Sequence, residues 1–162
     1  MGSRCTLTRP GFLRKLHREG VLQLVAPSDE MKSAYIRKSE THLASARLLL
    51  DNNLFEQSVS MAYYSMYYSG LALFFATGIK CENHSAAIIL LRDVFALDST
   101  DFEHAKTERI DKQYYITTAP IRDDAVSLIG TAESFNAFIL DFIDRLTKAR
   151  IEGYRKKFGS MI

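Results

Sequence analysis

The sequence predicts an all-α protein, an antiparallel bundle of four to five helices, on three observations. Apolar residues recur at spacings of 3 and 4 along the long stretches, and helix start and stop residues punctuate those stretches. Beyond Val21–Val25 no segment alternates convincingly with period 2. At 162 residues, 47% hydrophobic and 25% charged, the chain has the make-up of one folded domain and not of a disordered segment.

The elements follow in order. Residues 10–19 read as a short basic helix that Gly20 stops, and Val21–Val25 as a brief extended run. Ser28 caps the next helix, with Asp29 and Glu30 at its positive dipole end. Ile36, Leu43, Ala46 and Leu50 form its stripe, and Asp51-Asn52-Asn53 breaks it. A second long helix runs from about Phe55 to Ala76 and ends at Gly78. In it Tyr63/Tyr67 and Tyr64/Tyr68 are i,i+4 pairs on adjacent faces. Apolar nearly all round, it is expected to be the most buried element.

Asn83 caps a third helix whose inner face is Ala87, Leu90, Leu91, Val94 and Phe95. After the Asp98–Asp101 turn comes a polar helix, roughly Phe102 to Lys112. Pro120 suits the first turn of the last and longest helix. The stripe Ala125, Leu128, Ala132, Phe135, Ile139, Phe142, Leu146, Ala149 suits packing inside a bundle or pairing with another chain. The expected organisation is a basic N-terminal extension over 1–26, the bundle over 27–150 and a basic tail over 151–162.

Charge is unevenly spread. Residues 1–20 and 148–162 each carry five Lys or Arg against one Glu, so within a net charge of +2 the body is six negative. Basic ends flanking an acidic body suit phosphate, RNA or an acidic partner, or are simply solvated. Cys5 and Cys81 lie too far apart for a zinc knuckle or a disulfide scaffold and read as reduced cytoplasmic thiols. Met1–Gly20 is interrupted by arginines and lacks the apolar core of an export signal. Gln57–Ile79 has no charged residue, but four tyrosines clustered at mid-depth argue for a buried bundle helix and against a membrane span.

Metal chemistry finds no support: the central helix has no acid after Glu56, no Glu-x-x-His occurs, and Asp101-x-x-His104 alone is too few ligands. Neither a Gly-rich phosphate loop nor a G-x-S-x-G is present, and no cofactor is expected. The unusual segment is Lys106-Thr-Glu-Arg-Ile-Asp-Lys-Gln-Tyr-Tyr115. Arg109 offers a planar five-donor fork suited to phosphate, which Asp111 or Glu108 would hold in place. Tyr114 and Tyr115 suit stacking on a base. An internal Arg–Asp pair with tyrosines filling a gap between helices explains the same residues. His84, at the start of the third helix, is a further acid/base candidate or a helix-end group. Arg37-x4-His42 lies within one helix, where the two side chains point about 140° apart, and is read as chance.

From about Pro27 to Thr147 the chain resembles the HEPN domain family. Carrying the resemblance are Tyr35-Ile-Arg-Lys-Ser-Glu40, Phe55-Glu-Gln-Ser-Val59, Met61-Ala-Tyr-Tyr-Ser-Met-Tyr67, Gly78-Ile-Lys-Cys-Glu-Asn-His84 and Glu108-Arg-Ile-Asp-Lys-Gln-Tyr-Tyr115, in the family's order. The resemblance implies a helical homodimer with polar segments of two copies around one cleft. It also implies a minimal nucleotidyltransferase as partner, and in many relatives a metal-independent ribonuclease toxin. There an Arg stabilises the phosphorane-like transition state, and a His separated from it by four to six residues handles the proton.

This sequence departs from that motif: Arg109 is followed by Tyr114, Tyr115 and Ile116, with no His. A phenol of ordinary pKa, near 10, is a poor base at neutral pH. Three readings follow. The first is a nucleotide- or RNA-phosphate-binding module with a degenerate ribonuclease motif, its cleft lined by Arg109, Asp111, Tyr114, Tyr115 and His84. The second is an endoribonuclease toxin using Arg109 with Tyr114 or His84. The third is a non-catalytic helical adaptor.

Overall fold

The computed structural model describes residues 9–114 and 119–162, with side chains over 10–110 and 119–162. Seven helices and one two-stranded ribbon occur among them: α1 Arg9–Arg18, β1 Leu22–Leu24, α2 Asp29–Asp51, α3 Phe55–Thr77, β2 Ile79–Cys81, α4 His84–Asp93, α5 Thr100–Tyr114, α6 Arg122–Asp144 and α7 Lys148–Gly159. The protein is all-α, with α3 as the axis around which α2, α5 and α6 pack.

Local chemistry sets most boundaries. Ser28 Oγ accepts the Met31 N–H at the start of α2, and Asn83 Oδ1 accepts the Ala86 N–H at the start of α4. Asn53 (φ 59°) turns the chain out of α2, and Gly78 (φ 74°) ends α3 in the left-handed region. A Cβ at Gly78 would meet the Arg155 guanidinium and lie 2.5 Å from the Val25 carbonyl, so packing also demands glycine there. The turn feeds β2, which pairs antiparallel with β1 in the register Leu22↔Cys81, Gln23↔Lys80, Leu24↔Ile79. This ribbon delivers the chain to Asn83 and His84. Only its β1 half was expected from the sequence, because a three-residue strand leaves no alternation to read.

Fourteen of the 23 residues of α3 are buried, including Tyr63, Tyr67, Leu73 and Phe74. Its serines are satisfied in place: Ser58 Oγ donates to the Ala46 carbonyl, and Ser65 Oγ to the Ser39 carbonyl. By length and hydropathy α6 is long and apolar enough to cross a membrane. Its stripe residues Ala125, Leu128, Ala132, Phe135 and Ile139 are turned into the bundle core. Cys81 is buried, and burial pushes its thiol up to about 12, so it is an inert core residue.

Two expectations need correction. Pro120 does not begin α6: the helix starts at Arg122 behind Ile121, whose N–H donates to Asp124 Oδ2. Nor does the last helix run to Ala149. It stops at Asp144, and Thr147 Oγ1 caps a separate α7 by accepting the Arg150 N–H. The stripe therefore fails at its end, where Ala149 is exposed. Both basic termini contribute to the core, α1 through Leu13 and Leu16 and α7 through Phe158. Arg155 fastens α7, its Nη1 donating to the carbonyls of Val25, Thr77 and Gly78.

Candidate functional site

The ends of three elements meet around the tyrosines of α3. His84 is the first residue of α4, presented by β2 and the Asn83 cap. Its Nδ1 lies 2.5 Å from the Tyr63 hydroxyl, and the Tyr67 ring stacks on the imidazole with centroids 3.9 Å apart at 13°. On α5, Arg109 donates from Nη1 to the Tyr64 hydroxyl at 3.1 Å. Its Cζ stands 5.0 Å from the Tyr63 ring centroid and 5.3 Å from that of Tyr64, within cation–π range. One turn earlier, Lys106 Nζ donates to Ser85 Oγ at 2.7 Å.

The electrostatics follow from burial. Burial raises the Tyr63 phenol pKa, against the opposing pull of Arg109, so the hydroxyl keeps its proton at neutral pH. We assign that O–H as the donor to His84 Nδ1, which puts the ring hydrogen on Nε2. His84 itself is pushed down to about 4, first by burial and then by the charges of Arg109 and Lys106. At neutral pH the site therefore holds two cations, a neutral imidazole with an N–H to offer, and the start of a ten-residue helix.

Glu108, expected to brace Arg109, faces His104 at 3.8 Å. Among the described side chains Arg109 makes no ion pair, and its buried Nε has no hydrogen-bond partner. A buried guanidinium N–H without an acceptor costs about 1–3 kcal/mol, which an arriving anion would relieve. As a base, an imidazole with pKa near 4 and Nδ1 already engaged is weak, so the arrangement suits holding an oxyanion better than moving a proton.

His84 and Arg109 thus share the same tyrosines. The side chains of Asp111 and Tyr114, and all of Tyr115, lie outside the described residues. The sequence reading missed Tyr63, Tyr64, Lys106 and Ser85 as neighbours of this cluster. The signal was the Tyr63-Tyr64 doublet, whose two phenols sit on adjacent faces of a helix otherwise committed to the core.

A family model described as the HEPN domain matches residues 33–142. The chain belongs to the HEPN domain family. The HEPN match runs from within α2 to within α6 and contains both His84 and Arg109, while α1, β1 and α7 lie outside it. Among curated proteins, a candidate toxin of Methanocaldococcus jannaschii is 28% identical over 123 residues, covering 72% of this chain and 86% of that protein. A UPF0332 protein of Pyrococcus horikoshii is 43% identical over 54 residues, 33% of this chain and 38% of its own length. A UPF0332 protein of Gloeobacter violaceus is 40% identical over 53 residues, 33% of this chain and 42% of its own.

The His84 environment makes a direct prediction for this HEPN chain. Because the folded pKa lies below the unfolded 6.5, the unfolded state takes up the proton first, and stability falls as pH drops from about 6.5 to about 4. An NMR titration of the His84 ring is expected to give a midpoint near 4, rising toward the normal value in Arg109→Gln. A midpoint above 6 in the unaltered protein would contradict the described packing.

Proposed function

We propose that this protein is a HEPN-type module that binds a nucleotide or RNA phosphate at Arg109 without rapid turnover. The observation that supports it most strongly is the buried Arg109 Nε with no acceptor, beside Lys106 and a neutral His84 and without an ion-paired carboxylate among the described side chains. A phosphate oxygen accepting from Nε, with a second contact to His84 Nε2–H, supplies the missing partner and charge. Asp111, Tyr114 and Tyr115 complete the cleft in this reading, the tyrosines stacking on a base.

The module acts as a homodimer in the cytoplasm, two copies enclosing the cleft, beside a nucleotidyltransferase-like partner in a toxin–antitoxin-like system. The toxin name of the Methanocaldococcus relative supports that setting. The endoribonuclease reading uses the same Arg109 with Tyr114 or His84 as proton carrier, and it is favoured by the two residues' shared contact with Tyr63.

Labelled single-stranded RNA incubated with the protein in chelator separates the readings. Binding that weakens steeply with salt, with intact RNA, supports the module. Cleavage that disappears in Arg109→Ala supports the enzyme. Neither binding nor cleavage, from dilute to physiological salt, leaves the adaptor. Sedimentation at micromolar concentration tests the dimer, for which a monomer is the contrary result.

A further inference from the structure

Helices α2 and α6, with Ser69 of α3 between them, line a cleft of about 390 Å³. It shares no lining residue with the Arg109 cluster. Ile36, Leu43, Ala137 and Leu140 form apolar walls, and Ser39, Ser69 and Asn136 lie among them. The Arg47–Glu133 pair, 2.6 Å apart, stands at its rim. Asn136 is only 8% exposed, and its buried Oδ1 has no hydrogen-bond partner among the described residues.

Proton counting shows what that oxygen needs. Ser39 Oγ donates to the Ser65 carbonyl at 2.7 Å, and Ser65 Oγ donates to the Ser39 carbonyl at 2.8 Å. Ser69 Oγ donates to the Met66 carbonyl at 2.9 Å. Each hydroxyl has one proton, so all three are spent on backbone carbonyls. Asn136 therefore meets Ser65 Oγ as a donor, through Nδ2 at 2.8 Å, which fixes the orientation of the amide and leaves Oδ1 as an acceptor without a donor. A cleft with apolar walls and an unsatisfied polar atom on one of its lining residues has the form of a small-molecule site.

We propose that this cleft binds a small, largely apolar molecule that presents one N–H or O–H to Asn136 Oδ1. Its volume and walls select the apolar body, and the spent serines select a donor over an acceptor. The site belongs to the unaltered monomer and stands independently of phosphate binding.

Indole and benzofuran are near-isosteric probes that differ at this point: indole carries an N–H, benzofuran an oxygen acceptor. In ¹⁵N–¹H correlation spectra indole is expected to shift the Asn136 side-chain amide and the Ser39 and Ser69 backbone signals saturably. Benzofuran should bind about tenfold more weakly, the effect of leaving one buried acceptor unmet. Asn136→Leu should equalise the two probes. Ala137→Phe, a change at an exposed wall position, should abolish both while the helical circular dichroism is kept. Equal affinity of the two probes for the unaltered protein overturns the proposal. So does the lack of any saturable shift, since water then satisfies the oxygen. Shifts of the same signals that follow protein concentration instead make the cleft a face between copies, and the small-molecule site falls.

Discussion

Replacing Arg109 with alanine is expected to weaken RNA or nucleotide binding by about 30-fold or more at physiological salt. Charge-assisted hydrogen bonds from a guanidinium contribute about 1.5–3 kcal/mol, and Arg109 Nε has no acceptor among the described residues. Arg109→Lys keeps the charge and loses the planar fork, so it should recover only part of the affinity. The salt dependence should discriminate further: Arg109→Ala lowers the slope of log affinity against log salt by about one, and Arg109→Lys leaves it near normal. Filter binding across a salt series measures both, with circular dichroism as a check on folding. Undiminished affinity in Arg109→Ala would remove the guanidinium from the site.

The second large effect falls on stability. Phe158→Ala, in the terminal helix, should destabilise the protein by about 3–5 kcal/mol, a major part of the roughly 5–15 kcal/mol that holds a domain together. Phe158 is fully buried and belongs to the same core cluster as Leu13 and Phe74, so its loss opens a cavity where α7 meets the bundle. Arg155→Met, which leaves the carbonyls of Val25, Thr77 and Gly78 without their shared cation, should cost about 2 kcal/mol. Lying three positions apart on one helix, the two changes should not add. Urea midpoints measure each variant. A change below about 0.5 kcal/mol in Phe158→Ala would mean that α7 hangs free.

How far the sequence could be read depended on how much chain each feature repeats over. The stripes of α2 and α6, the Ser28 and Asn83 caps and the Gly78 stop are legible because hydrophobic spacing and capping chemistry are local and repeated. The α6–α7 break is not, since one capping hydroxyl at Thr147 competes against a stripe that continues through Leu146 and Ala149. What decides the contest is tertiary: Phe158 reaches the core and Arg155 reaches the carbonyls around Gly78 only if the helix turns. The β1–β2 ribbon escaped for a related reason, its pairing partners being 59 positions apart at Leu22 and Cys81.

At the candidate site, Arg109 stood out because its segment is polar off any apolar stripe, and His84 because it follows a helix cap. The aromatic surroundings were harder to see. Tyr63 looked like core, and it is core, yet its hydroxyl reaches out to His84 and its ring lies under Arg109. One buried side chain holds both polar candidates, and one-dimensional spacing carries no sign of that. The unmet Asn136 oxygen was equally invisible, because it depends on where three serine protons on two other helices are spent.

The most direct test of the account is the ¹⁵N–¹H signal of Arg109 Nε, assigned by its loss in Arg109→Lys, followed as adenosine 5′-monophosphate is added at low salt. An anion meeting the unpartnered N–H is expected to move that signal saturably and sharply downfield, with the shift receding as salt is raised. An Nε signal that stays in place at saturating nucleotide would contradict it.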